Sequence, residues 1–228
     1  MTTIEAGTRH IKEINEDIQA ALAAGDEVTV TNTLSRHNLG VGLPESGKIR
    51  FEGSVGYYCG GLNTGCEIEI ERNCGWAAGE GMSKGKITVG GYAGMSCGAA
   101  MTGGLIHVKG DAGPRCGVAM KNGTIVVEGK IGYQSGFMAH RGKIIALGGA
   151  GESCADALWE GEVWVAGPVE SYGVDVKVIE PTAEEVAEVD AILDPLGLKD
   201  TSREWRKMVS GQRLWYFESR DASAWLMI

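Results

Sequence analysis

GKITVGGYAGMSCGAAMTG (residues 85–103) and GLIHVKGDAGPRCGVAMKN (residues 104–122) are consecutive stretches of nineteen residues that share one pattern of glycine, isoleucine, valine and cysteine. The pattern continues without insertion from residue 47 to residue 179, which gives seven blocks of nineteen residues. A fixed period of this kind predicts stacked copies of one structural unit, none of which can bury its own apolar face alone.

The nineteen positions of a block are its columns, and the third and fifth columns are apolar throughout. Column three holds Ile49, Ile68, Ile87, Ile106, Ile125, Ile144 and Val163. Column five holds Phe51, Ile70, Val89, Val108, Val127, Ala146 and Val165. Apolar side chains two residues apart, with glycines on both sides, indicate a short strand with one face directed inward. Each block therefore predicts one coil of a β-helix.

The predicted fold class is all-β: a right-handed parallel β-helix of about seven 19-residue coils, with an N-terminal capping helix and a C-terminal helical and aromatic tail. Left-handed β-helices usually repeat in multiples of six residues, which favours the right-handed form. Three regions follow from this: the capping helix in residues 1–27, the β-helix in 28–180, and a tail in 181–228 that packs on the rod or on a partner.

Two helices and a third short one are predicted outside the blocks. Apolar residues recur at helical spacing through residues 11–22, which predicts an amphipathic helix that closes the first end of the rod. Thr182 and Glu185 predict a capping box at the start of a second helix. A further short helix is predicted from Ser202 to Val209.

Composition excludes several classes of protein. The formal charge of −9 argues against a nucleic-acid-binding surface, which needs clustered lysine and arginine. No run approaches the roughly 18 apolar residues of a membrane span, and the first residues contain no apolar signal core. We therefore expect a cytoplasmic protein that binds neither nucleic acid nor membrane.

Column four is expected to point outward, and it changes from polar to apolar along the chain. Its residues in the seven blocks are Arg50, Glu69, Thr88, His107, Val126, Ile145 and Trp164. An apolar stripe of this size needs a cover. The C-terminal tail is favoured over a partner protein, because it is covalently attached and equally apolar. Trp215 and Trp225 in the tail join Val126, Ile145 and Trp164 as candidate interface residues.

Column thirteen holds four cysteines, which raises the possibility of a metal or iron–sulfur site. They are Cys59, Cys97, Cys116 and Cys154. Equivalent positions on successive coils are ~4.8 Å apart, so the first and last cysteine would be about 24 Å apart. Four sulfurs spread along a line cannot surround one ion. The sequence predicts a file of small buried side chains, and no metal or cofactor in this chain.

Three polar residues stand out because they break the pattern. Asn32 and Arg36 lie in an irregular block upstream of the regular ones, and Arg115 occupies a column of tyrosine, alanine, serine and glutamine. We expect solvated or interface residues rather than catalytic ones. The outward carboxylates Glu52, Glu69 and Glu71 would suit a self-contained β-helix enzyme or binding protein, but a solvated face or a contact for a partner's cations is favoured.

Several stretches resemble one known family. TNTLSRHNLG (31–40), GDAGPRCGVA (110–119), VVEG (126–129) and LGGAGESCADALWEGEVWV (147–165) are similar to segments of the GXGXG β-helix domain. That domain forms the C-terminal end of the glutamate synthase large subunit, and it also forms one of the subunits of formylmethanofuran dehydrogenase. The resemblance covers roughly residues 30–167, and it supports Arg36 and Arg115 as family positions.

The resemblance implies a non-catalytic scaffold subunit. A free-standing domain with the ending QRLWYF looks most like the GXGXG subunit of N-methylglutamate synthase, or methylamine–glutamate N-methyltransferase. The implied partners are a class II amidotransferase-like subunit and an FMN-dependent glutamate-synthase-like subunit, with FMN and an iron–sulfur cluster in the latter. The alternative within the family is a subunit of a formylmethanofuran dehydrogenase or formyltransferase/hydrolase complex.

Overall fold

The computed structural model describes residues 1–212, and its architecture is the predicted right-handed parallel β-helix. The main sheet contains eleven strands: β1 (Thr2–Glu5), β2 (Val28–Thr31), β3 (Lys48–Phe51), β4 (Thr64–Ile70), β5 (Lys84–Val89), β6 (Leu105–Val108), β7 (Thr124–Val127), β9 (Lys143–Ala146), β11 (Glu162–Val165), β12 (Val176–Ile179) and β13 (Arg206–Ser210). Two shorter strands, β8 (Lys130–Ile131) and β10 (Gly149–Ala150), pair in parallel as a separate sheet. In the main sheet the strands follow chain order until the end, where β13 lies between β11 and β12.

The register of the main sheet has the predicted period of nineteen residues. The column-three residues are direct partners on successive strands from β3 to β11, and the column-five residues are too. Both columns fill the interior of the rod, and none of their side chains is more than 2% exposed. One block is therefore one coil, as predicted.

Gly98, in column fourteen, shows why glycine recurs where a coil turns. Its φ is +69°, a left-handed conformation that glycine adopts without strain. A Cβ at this position would lie 2.5 Å from Cδ1 of Ile125, so the core isoleucine of a later coil occupies the space that a side chain would need.

The sheet begins earlier than the sequence pattern indicates. β1 lies in a segment without any recognisable pattern, and it pairs in parallel with β2, with Thr2 opposite Val28. Helix α1 (Ile11–Ala23) follows β1, and His10 caps it by accepting a hydrogen bond from the Lys12 amide. As predicted, α1 packs its apolar face on the core, where it buries Ile14, Ile18 and Leu22.

Helix α2 (Ala183–Leu193) begins at the predicted capping box. The Thr182 hydroxyl accepts a hydrogen bond from the Glu185 amide, and the Glu185 carboxylate accepts one from the Thr182 amide. A 3-10 turn, Asp194–Leu196, follows directly. None of the helices in the described residues is long and apolar enough to cross a membrane.

The short helix predicted from Ser202 to Val209 is wrong, because strand β13 occupies the second half of that segment and no helix forms in the first half. β13 pairs antiparallel with β11 on one side and with β12 on the other. The apolar residues Trp205, Met208 and Val209 have a spacing that suits a helix. The free backbone groups of β11 and β12 lie far away in sequence, and pairing with both satisfies the segment better than a local helix would.

Candidate interaction surfaces

The apolar half of the outer sheet face is covered by the chain itself. Val126, Ile145 and Trp164 are fully buried, in one cluster with three residues that follow the coils, Val189, Leu193 and Trp205. The rings of Trp164 and Trp205 meet edge to face, 6.0 Å between centroids. The part of the C-terminal segment that the structure describes thus provides the cover that sequence analysis favoured, and these three stripe residues form an interface within the chain.

A buried polar cluster fastens this cover to the coils. The ammonium group of Lys207 lies 2.8 Å from the Glu162 carboxylate and 2.6 Å from that of Glu185, and its side chain is 5% exposed. Lys143 Nζ and the Trp164 indole N–H donate to the other oxygen of Glu162, at 2.8 and 3.1 Å. Two carboxylates and two ammonium groups therefore join β9, β11, β13 and α2.

The pKa values of Glu162 and Lys207 shift in the directions that keep the carboxylate negative and the ammonium group positive. Burial alone would raise the pKa of Glu162, but the hydrogen bonds from Lys143, Lys207 and Trp164 outweigh it and hold the pKa below its ordinary value. Burial likewise favours neutral Lys207, yet the bonds to Glu162 and Glu185 raise its pKa. The cluster is a structural ion-pair network, since every charged group in it has an opposite charge as partner.

The other half of the outer sheet face is an open, charged groove of about 430 Å³. Arg50 lies across it, with its guanidinium 3.6 Å from the Glu71 carboxylate and hydrogen-bonded to Glu69 at 2.5 Å. Glu71 also accepts a hydrogen bond from the Gly53 amide. Two of the three outward carboxylates that a self-contained enzyme or binding protein would use, Glu69 and Glu71, are thus held by a cation or the backbone, and Glu52 is exposed.

His107 lies at the boundary between the two halves. It is 4% exposed, and its Nε2 lies 2.9 Å from the Glu128 carboxylate. Burial lowers the pKa of His107, although Glu128 opposes the shift. A neutral imidazole that donates one hydrogen bond to Glu128 fits this position near pH 7.

The column-thirteen cysteines form the predicted file of buried side chains. All four are buried, as are Cys66 and Cys74. A hydrogen bond with Cys97, together with burial, raises the pKa of Cys116 well above its ordinary value, and burial raises that of Cys154 to about 12. The thiols of Cys116 and Cys154 therefore remain protonated, and a protonated thiol is neither a good nucleophile nor a metal ligand. Among residues 1–212, no group of three or more His, Cys, Asp and Glu side chains is placed to hold a metal ion.

The turn side of the rod carries a feature that sequence analysis overlooked. In the first five coils, column eleven, with its equivalent in the irregular block upstream, places aromatic or apolar side chains one above another. This aromatic file consists of His37, Tyr57, Trp76, Met95, Pro114 and Tyr133. The main-chain ladder aligns it: the Asn38, Tyr58, Ala77, Ser96 and Arg115 amides donate to the carbonyl groups of Tyr57, Trp76, Met95, Pro114 and Tyr133.

The rings at the start of the aromatic file stack on each other in the open. The His37 and Tyr57 rings lie 4.3 Å apart at 21°, and the Tyr57 and Trp76 rings lie 4.8 Å apart at 6°. Tyr57, Trp76 and Tyr133 are 43%, 48% and 46% exposed. Because these residues share one column of the nineteen-residue repeat, the file is visible in the sequence itself.

The predicted polar candidates do not converge on one site. Arg36 donates to the Gly7 carbonyl at 2.6 Å, which ties the segment after β1 to the first coil. The side-chain amide of Asn32 donates a hydrogen bond to the Glu5 carboxylate at 3.3 Å. Arg115 lies several coils away, exposed, at the side of the aromatic file. Trp215 and Trp225 lie outside the described residues.

Two comparisons relate this chain to known proteins. The protein family described as GXGXG motif matches residues 8–195, a range that runs from before α1 to the end of α2. Protein GlxC of Rhizobium meliloti (strain 1021) is 42% identical over 228 residues, which is 99% of this chain and 100% of that relative.

Proposed function

Since the chain belongs to the GXGXG family, we propose that it is a non-catalytic scaffold subunit of a glutamate-synthase-like heteromeric enzyme. The observation that carries the proposal is the match of that family to residues 8–195, which include the coils and their helical cover. In glutamate synthase the domain of this family braces two catalytic domains against each other. Here the same kind of rod would serve separate subunits.

The construction of the rod supports this role. Its interior is filled by side chains of columns three, five, nine, thirteen and seventeen, so the side chains that remain available lie on the outer surface. Parallel strands at ~4.8 Å spacing make a stiff body with long, flat faces. Stiffness and large faces suit a part that holds other proteins at a fixed distance.

The complex we favour is N-methylglutamate synthase, which forms N-methylglutamate from glutamate and methylamine. The partners would be a class II amidotransferase-like subunit and an FMN-dependent glutamate-synthase-like subunit, and FMN and the iron–sulfur cluster would reside in the second. The burial of all six cysteines, with raised pKa values at Cys116 and Cys154, fits a part of the complex that leaves redox chemistry to its partner.

The test is reconstitution. The full chain is co-expressed with the two proposed partner subunits of the same organism, and formation of N-methylglutamate from methylamine and glutamate is measured with and without it. We expect a stable ternary complex, and activity that falls at least tenfold when this chain is omitted. A pair of partner subunits that is fully active alone, or a complex that instead transfers a formyl group, would contradict the proposal.

A further inference from the structure

We propose that the aromatic file is the surface on which this chain binds a partner subunit, through apolar contact and one carboxylate of the partner placed opposite Arg115. The inference rests on the proposed function and deepens it. It adds which side of the rod makes the contact and which chemistry the partner presents.

The rings of the file are exposed yet already ordered. Tyr57 and Trp76 are nearly parallel in their stack, and each leaves almost half of its surface open. Side chains that are held in place before binding lose little conformational entropy when a partner covers them. Tryptophan, tyrosine, methionine and arginine are also the residues most enriched at the centres of protein interfaces.

The surface around the file lacks charge, in a chain with a formal charge of −9. Residues 54–66, 73–79 and 87–106 contain no Asp, Glu, Lys or Arg. These stretches supply the file and its flanks in three successive coils, including the exposed ring of Tyr92. Water-exposed surface without charge is poorly explained by solubility, whereas the centre of an interface is depleted in charged residues.

Arg115 supplies the one polar anchor beside this neutral surface. It follows Pro114 of the file and is exposed. Its guanidinium donates to the Gln134 side-chain oxygen at 3.3 Å from both Nε and Nη2, and no carboxylate of residues 1–212 lies within salt-bridge distance. An exposed guanidinium with only a neutral partner is well placed to bind a carboxylate from another protein.

A different subunit fits this surface better than a second copy of the chain. Tyr57, Trp76 and Tyr133 together expose about 300 Å², since an aromatic side chain buries roughly 150–250 Å². A stable interface buries about 800 Å² on each side, so the file can only be the centre of a larger contact. A homodimer formed through it would place each Arg115 against the uncharged stretches 54–66, 73–79 and 87–106 of the other copy, which leaves its charge unpaired.

The experiment measures binding of the full chain to each of the two proposed partner subunits by sedimentation velocity. For the subunit that docks here, we expect Kd to rise about thirtyfold with Trp76→Ala and about tenfold with Arg115→Glu. Tyr172→Ala is the matched control, an exposed tyrosine five coils from Trp76, and should leave Kd within about twofold. Amide hydrogen exchange in residues 54–62 and 73–81 should slow when that subunit binds.

Four outcomes overturn the inference, and they differ in whether the scaffold role survives and in what occupies the aromatic file. If the complex forms and both variants bind like wild type, the docking face is wrong and the scaffold role survives. If neither subunit binds, both proposals fail. If wild type dimerises and Trp76→Ala is monomeric, the occupant is a second copy. If removal of residues 213–228 speeds exchange in 54–62, the occupant is the chain's own C-terminus. Arg115→Glu still decides the result should Trp76→Ala fail to fold.

Discussion

Lys207 is the residue that ties the C-terminal segment most closely to the coils. Its ammonium group is buried between Glu162 and Glu185, and it also lies 5.3 Å from the centre of the Trp164 ring. A buried charge is tolerated only when its partners replace the water it loses. The ion pairs of Lys207 with Glu162 and Glu185 therefore help to hold α2 and β13 on the sheet, in addition to the apolar contacts of these two elements.

Replacing Lys207 with methionine tests this at the residue scale. Lys207→Met keeps most of the side-chain volume but leaves Glu185 without its cation and Glu162 with one instead of two. We expect the free energy of unfolding to fall by about 2 kcal/mol, measured by urea denaturation. Lys177→Met is the control, because Lys177 is exposed on β12 and should change stability by less than about 0.5 kcal/mol. Equal losses in both variants would contradict the assigned role.

The lowered pKa of Glu162 predicts how stability depends on pH. A carboxyl whose pKa is lower in the folded state contributes stability that is complete above its unfolded pKa, near 4.5, and is lost as the pH falls through the folded pKa. The wild-type protein should therefore lose stability steeply below about pH 4.5, and Glu162→Gln should be less stable at pH 7 with a shallower acid slope. Urea denaturation at a series of pH values measures both slopes, and identical slopes would show that Glu162 does not carry this dependence.

At the scale of elements, the sequence correctly predicts the features that recur in every nineteen-residue block. Columns three and five lie where predicted because strand alternation decides which side chains face inward. β1 escaped prediction because Thr2–Glu5 is too short to show a pattern, and only pairing with Val28 identifies it as a strand. β13 escaped because its two neighbours are remote in sequence, so tertiary pairing overrode a spacing that also suits a helix.

The candidate surfaces divide in the same way. Column four predicted the apolar stripe whose last residue is Trp164. This column lies in the strands, where alternation decides to which side each side chain points. The aromatic file lies in turns, where exposure depends on backbone conformation. Arg115, for instance, has a φ of +57°, and its equivalents in the first six coils have φ between +51° and +61°, which sets the direction of the chain beside the file. Alternation gives no information about such positions.

A pair of glycine substitutions separates the two reasons for glycine in a coil. Gly98→Ala adds a Cβ in a left-handed conformation and against Ile125, whereas Gly42→Ala adds one at a φ of +62° with nothing within 4 Å. We expect Gly42→Ala to cost about 1 kcal/mol for the backbone conformation alone. Gly98→Ala should cost about 3 kcal/mol, since overpacking of the core is added. Chemical denaturation measures both, and equal costs would show that the close approach to Ile125 is easily relieved.

Over the whole molecule, the outer sheet face consists of two different surfaces. The first coils leave it charged and open to water, and the last three leave it apolar under α2 and Trp205. The two ends of the rod interior are closed by different elements. Helix α1 covers the interior at the first coil, and Met208 of β13 joins the core at the last coil. Residues 182–212 therefore belong to the folding unit of the rod, because without them both the stripe and the end of the core are exposed.

Two truncations test this at the scale of the molecule. Removal of residues 201–228 takes away Trp205, Lys207 and Met208, so it uncovers Trp164 and opens the end of the core. We expect a loss on the order of 5 kcal/mol, which approaches the total stability of most domains. The product should bind a hydrophobic dye and aggregate during gel filtration. Removal of residues 213–228 is the matched control, because all three of those residues remain. The control should elute without aggregates and unfold as cooperatively as the full chain. A soluble protein lacking 201–228 with unchanged unfolding would show that the coils stand without their cover.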